Sequence, residues 1–135
     1  MVPPPVETMP DLKTILLVED DVSLRASVGE FLKDNGYRPL AAGTIREAWE
    51  TIVAVQPPVC ILDLNLPDGS GIDLLKRIAD AKLPVQVIVM TAFPLSHLKP
   101  DDTAGTLIEW LTKPLAPVAL LGAIEKALFR SASSR

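Results

Sequence analysis

The chain has 135 residues, enough for one domain with a sizeable core. Its composition, 48% hydrophobic and 22% charged, is that of a globular protein and excludes a disordered one. A net charge of −4 argues against a broad nucleic-acid-binding face, and no apolar run approaches the ~20 residues of a membrane span.

The lone cysteine, Cys60, rules out an internal disulfide framework. It lies in an apolar run and reads as a small buried hydrophobe. No basic stretch followed by an apolar one opens the chain, so the expected setting is the reducing cytoplasm. Residues 1–12, with Pro3, Pro4, Pro5 and Pro10, read as a flexible, partly extended tail. Residues 131–135 read as a C-terminal tail or the start of a linker. The domain proper is expected over residues 13–130.

The first strand is expected near Thr14–Val18, with Glu19, Asp20 and Asp21 immediately after it. A helix follows, with Leu24, Val28, Phe31 and Leu32 on one face, and Asn35-Gly36 ends it. The second strand, near Tyr37–Ala41, contains Pro39, which cannot donate to a ladder and so points to a sheet edge. The second helix opens on Thr44-Ile45-Arg46-Glu47, a capping-box pattern. Its apolar stripe is Ile45, Ala48, Trp49, Ile52 and Val53, with Trp49 as core packing, and Pro57-Pro58 stops it. The third strand, Val59–Leu62, ends on Asp63 and runs into the turn-rich segment Leu64–Gly71. A helix over Gly71–Ala81 should bury Ile72, Leu75, Ile78 and Ala79. The fourth strand, Val85–Met90, is apolar almost throughout, as suits a central parallel strand. A fifth strand is expected near Leu107–Leu111. The last helix should begin near Pro117 and bury Leu120, Leu121, Ile124 and Leu128.

Strand and helix therefore alternate five times, with one weak cycle. That pattern implies an α/β protein with a doubly wound parallel sheet and helices on both faces. Ligands in such sheets bind beyond the carboxyl ends of the strands. Glu19, Asp20, Asp63, Thr91 and Lys113 all fall there. Carboxylates gathered this closely repel unless a cation shares the site, which points to a divalent metal and phosphate chemistry.

The segments ILLVEDD, LDLNLPDGSG, VMTA and TKP, in that order and with 22 residues from Thr91 to Lys113, resemble the receiver domain of response regulators, the CheY-like family of two-component signalling. The resemblance covers about residues 13–130. It implies a five-stranded flavodoxin-like sheet of strand order 2-1-3-4-5, which agrees with Pro39 at an edge. It also implies a phosphorylation-dependent switch that takes a phosphoryl group on Asp63 from a histidine kinase or phosphotransfer protein. Glu19 and Asp20 match the family's acidic pair. With Asp63 and the backbone carbonyl of Asn65 they would hold Mg²⁺, a cation suited to hard oxygen ligands. Asp21 lies past that pair and is expected at the helix N-terminus instead. Lys113 and Thr91 would contact the phosphoryl group, small Ala92 would leave it room, and the Lys113–Pro114 bond would be cis, as X-Pro bonds can be. Trp110 matches the aromatic switch position. Tryptophan is bulkier than the usual tyrosine or phenylalanine there, so an inward rotation and a fixed structural role both stay open. By analogy, Asn65 and Phe93 set how fast the phosphoryl group hydrolyses, with Phe93 shielding it from water.

The chain departs from the family over Pro94–Gly105, where Pro94, Pro100 and Gly105 fall within twelve residues. An interior proline costs a helix about 3 kcal/mol, so a short or irregular fourth helix is expected. His97 falls in this stretch and reads as an exposed loop residue, with no second histidine to form a zinc site. Two other functions compete. A Mg²⁺-dependent phosphohydrolase with an aspartate nucleophile would commonly carry an acid where Asn65 stands, so no enzyme acting on external substrates is expected. A docking module without phosphorylation would not need Asp63, Glu19, Asp20, Thr91 and Lys113 together. The output partner or effector is open, as is whether the chain is complete or the N-terminal receiver of a longer transcriptional regulator. No direct nucleic-acid or membrane contact is expected.

Overall fold

A computed structural model describes residues 13–92 and 105–133. The elements, in chain order, are β1 (Thr14–Val18), α1 (Val22–Asp34), β2 (Arg38–Ala42), α2 (Ile45–Val55), β3 (Val59–Asp63), β4 (Asn65–Leu66), β5 (Gly69–Ser70), α3 (Gly71–Asp80), β6 (Gln86–Thr91), β7 (Leu107–Thr112) and α4 (Pro117–Ser133). Five of the strands form one parallel sheet in the order β2-β1-β3-β6-β7. Counted within that sheet, this is the expected 2-1-3-4-5 order, and Pro39 does lie on an edge strand. The hairpin β4–β5 was not expected from the sequence. The expectations for a broken helix near residues 94–105, for Phe93 and for His97 fall on residues 93–104, outside those described. Among the described residues no helix is long and apolar enough to cross a membrane.

Alternation along the central strands divides the core in two. Leu16, Val18, Cys60, Leu62, Val87 and Val89 face Ala48 and Ile52 of α2 and Leu74, Leu75 and Ile78 of α3. Ile15, Leu17, Val59, Ile61, Ile88 and Met90 face Val28 and Leu32 of α1 and Leu120, Ala123, Ile124 and Ala127 of α4. Helices thus cover both faces, which is why β1 and β3 are buried along their whole length and apolar between Thr14 at the start of the one and Asp63 at the end of the other.

The helix ends follow local chemistry. Asp21 caps α1 by accepting the Leu24 N–H at 3.1 Å, the helix-end role expected of it. At the other end, Gly36 (φ 86°) donates to the Lys33 carbonyl and Tyr37 to the Leu32 carbonyl, a Schellman closure. Thr44 caps α2 by accepting the Glu47 N–H at 3.1 Å. Its hydroxyl also donates to the Glu47 carboxylate at 3.2 Å, so the acid of this capping box serves the hydroxyl and not the backbone. Ser70 caps α3 through the Ile72 N–H.

Some expected burials are corrected. Val53 is 51% exposed, on the rim of the α2 stripe. Leu74 is fully buried in place of Ile72, which is only partly covered. On α4, Ala123 and Ala127 are buried while Leu128 is partly buried, because α4 lies against β6, β7 and β3 and small residues admit the closest approach. A bulge interrupts the β6–β7 ladder: Val87 pairs with Leu107, but Ile88 pairs with Glu109, leaving Ile108 as an extra residue. The Lys113–Pro114 peptide is cis, as expected.

Candidate functional site

β1 and β3 are direct neighbours, with Val18 paired to Leu62. The residues that follow each pair, Glu19 and Asp63, therefore emerge side by side at the carboxyl edge of the sheet. β6 and β7 deliver Thr91 and Lys113 to the same edge, where the Lys113 N–H donates to the Thr91 carbonyl at 2.8 Å. Apolar strands end here because the next side chains leave the two-sided core for solvent. The carboxylates are nonetheless deeply set: Glu19 is 1% and Asp63 3% exposed, while Asp20 is exposed.

Lys113 Nζ lies 2.9 Å from Asp63 Oδ2 and 3.2 Å from Glu19 Oε2. The Asn65 N–H donates to Asp63 Oδ1 at 3.0 Å. Both Asp63 oxygens are thus oriented, one by a charge and one by the backbone of the following hairpin. Burial raises the Glu19 pKa to about 7, helped by the hydrogen bond and charge of Asp63 and opposed by Lys113. Burial also works to raise Asp63, but hydrogen bonds from Glu19, Lys113 and the Asn65 N–H outweigh it and hold Asp63 below the usual carboxylate value. Burial works to lower Lys113, yet its pairing with Asp63 and Glu19 keeps it above the ordinary lysine value.

Carboxylate oxygens of Glu19, Asp20 and Asp63 lie within 4.8 Å of one another. Three acids against one ammonium leave excess negative charge, and the set is all hard oxygen. Both properties fit Mg²⁺. Of the remaining expected residues, Thr91 is buried at the end of β6, and Ala92 is exposed just past it. Trp110 is half-buried, opposite Val89, and packs on the α2–α3 side of the sheet.

Sequence reasoning missed three residues that shape this edge. Arg25 reaches back from α1 to donate to the Glu19 carbonyl at 2.9 Å. Gly71 opens α3 where a Cβ would stand 2.5 Å from the Asp63 carbonyl oxygen. Asp68 accepts the N–H groups of Ile45 and Arg46 at 2.8 and 3.1 Å. The Gly69-Ser70-Gly71 run that closes the turn-rich segment after Asp63 was a readable signal for Gly71. Arg25 and Asp68 act across the fold and leave no local pattern.

The sequence profile of the response regulator receiver domain matches residues 15–125, and the chain belongs to that family. It is a receiver domain of the two-component type. It is 31% identical over 121 residues to the phosphate regulon transcriptional regulatory protein PhoB of Pseudomonas aeruginosa, a match covering 88% of this chain and 53% of PhoB. It is 28% identical over 115 residues to sporulation initiation phosphotransferase F of Bacillus subtilis, covering 84% of this chain and 92% of that protein. The chain spans about half the length of several of the transcriptional regulators it matches. Among solved structures, the signal receiver domain of a protein described as a Luxo repressor of Vibrio parahaemolyticus superposes with a TM-score of 0.82 at 32% identity, covering 90% of this chain and 94% of that one. The response regulator TrrA of Thermotoga maritima, crystallised with Mg²⁺ and BeF, superposes with a TM-score of 0.74 at 27% identity, covering 85% and 98%.

Proposed function

We propose that this domain is a phosphorylation-dependent switch that takes a phosphoryl group on Asp63 from a phosphohistidine. The observation that carries the reading is the double hold on Asp63, by Lys113 Nζ at 2.9 Å and by the Asn65 N–H at 3.0 Å, beside two further acids. A carboxylate at the end of a central strand, ionised and oriented, is a ready nucleophile. An Asp63 oxygen attacks phosphorus, the P–N bond of the donor breaks with its electron pair staying on nitrogen, and the histidine ring leaves as neutral imidazole with the proton already on its other nitrogen. Lys113 stays charged and passes from the free carboxylates to a phosphoryl oxygen. The Thr91 hydroxyl, at the neighbouring strand end, donates to a second.

Glu19, Asp20, Asp63 and the Asn65 carbonyl are the groups that would hold Mg²⁺. When bound it neutralises charge on the acids and on the entering phosphoryl oxygens. The donor is a sensor histidine kinase or a phosphotransfer protein in the cytoplasm. The readout is altered affinity for an output partner or effector domain, a population shift set by how differently two states bind the phosphoryl group. Trp110 is the switch residue whose packing that shift alters. The chain turns over no external substrate, since Asn65 stands where a hydrolase would carry its second acid. Intact-mass measurement after incubation with acetyl phosphate and Mg²⁺ tests the reading. One phosphate should add to the native chain and none to Asp63→Asn. Addition to both proteins, or to neither, contradicts it.

A further inference from the structure

The segment between Asp63 and α3 is a lever with two fixed ends. β4 and β5 pair as a two-residue-by-two-residue hairpin, Asn65 with Ser70 and Leu66 with Gly69, and Pro67-Asp68 form its tip. The near end is bolted to the phosphoacceptor. The Asn65 N–H bonds Asp63 Oδ1, the Gly71 N–H bonds the Leu64 carbonyl at 2.9 Å, and Gly71 packs where no Cβ fits against the Asp63 carbonyl. The far end is bolted to α2. Asp68 Oδ1 accepts from the Ile45 N–H at 2.8 Å and Oδ2 from the Arg46 N–H at 3.1 Å. A Cβ built on Gly69 would stand 3.0 Å from Ile45 Cδ1, so the tip lies directly on the first turn of the helix.

A two-oxygen grip of this kind on free helix N–H groups is charge-assisted and directional. Those contacts also hold the Asp68 carboxyl below its ordinary value, the Ile45 N–H foremost. Helix α2 already has its own cap in Thr44, so Asp68 is not needed to end it.

We infer that Asp68 is a positioning residue for the phosphoacceptor site. By tying the hairpin tip to α2 it fixes Asn65, whose N–H orients Asp63 and whose carbonyl is a proposed cation ligand. This rests on the function proposed above. Loss of the tie leaves the far end of the hairpin held only by the packing of Leu66 and Gly69, which loosens a ligand without removing it.

The test compares the native chain with Asp68→Ala, Asp68→Asn and Thr44→Ala. Asp68→Ala should weaken Mg²⁺ binding severalfold as read by calorimetry, less than the roughly tenfold or more lost when a group bonded directly to a ligand is removed. It should slow acetyl phosphate modification at subsaturating Mg²⁺ and recover the native rate at saturation. Amide exchange at Asn65 and Gly71 should quicken. Asp68→Asn keeps one acceptor oxygen and should fall between, which keeps the test open if the alanine variant does not fold. Thr44→Ala removes the helix's own cap and should lower stability while leaving Mg²⁺ affinity at the native value. Unchanged affinity and exchange in both Asp68 variants, or equal weakening in Thr44→Ala, overturns the assignment. A native chain that binds no Mg²⁺ and takes no phosphate refutes the proposed function instead, and the exchange comparison still decides whether Asp68 fixes the hairpin.

Discussion

Gly71 shows how closely single residues are constrained around Asp63. A methyl group there meets the Asp63 carbonyl oxygen at 2.5 Å, a backbone atom that cannot rotate away. Gly71→Ala should therefore shift the strand end and cost about 1–3 kcal/mol, measurable by urea unfolding. Cys60 lies at the opposite extreme of chemistry. It is fully buried in β3, and burial pushes its thiol up to about 12. Thiol reagents should leave it untouched in the native protein and label it completely in denaturant, and fast native labelling would contradict the assigned burial. Glu19 carries a pH signature. Its pKa, raised from 4.5 to about 7, means the metal-free folded state holds a proton that the unfolded chain has lost. Stability of the metal-free domain should thus fall as pH rises through that window. Mg²⁺ competes with the same proton, so its affinity should climb over the same range. Titration of thermal unfolding against pH, with and without Mg²⁺, checks both signs.

At the scale of elements, the helices are positioned by a few buried side chains and by their caps. Leu74 is fully buried between α3 and the sheet, while Val53 on α2 is half in solvent. Leu74→Ala should cost about 2–5 kcal/mol and Val53→Ala stay within about 0.5 kcal/mol, compared by denaturant midpoints. Both residues show where sequence periodicity failed. The stripe of Ile45, Ala48, Trp49, Ile52 and Val53 is wider than the face α2 presents, so Val53 falls on its exposed edge. On α3 the chain offers both Ile72 and Leu74, and the buried stripe of Gly71, Leu74, Leu75, Ile78 and Ala79 runs through Leu74. Trp49, expected as core packing, is half-buried against the core, with the Arg77 guanidinium 4.0 Å from the centre of its ring, a stacking contact between α2 and α3. Plain alternation along β7 would set Ile108 and Trp110 on one face. The bulge at Ile108 puts them on opposite faces, which is why Trp110 lies opposite Val89 and beside the α2–α3 core.

Over the whole molecule, the site edge and the edge place of the second strand were legible in local patterns, while the full strand order followed from the resemblance of the motifs to the receiver family. Apolar runs that end on acids mark strands whose carboxyl ends converge, and a proline in the second run marks an edge. The acids at 19, 20 and 63 and the lysine at 113 do meet there. The Arg25 and Asp68 contacts were not legible, because each joins segments that only the folded topology brings together. What the assembled edge offers is a doubly held carboxylate beside two further acids. The most direct test of that account locates the acyl phosphate itself. After reaction with acetyl phosphate and Mg²⁺, borohydride reduction converts a phosphorylated aspartate to homoserine, which peptide sequencing by mass spectrometry can place. The account predicts homoserine at position 63 alone, and homoserine at any other acid, or none at position 63, would contradict it.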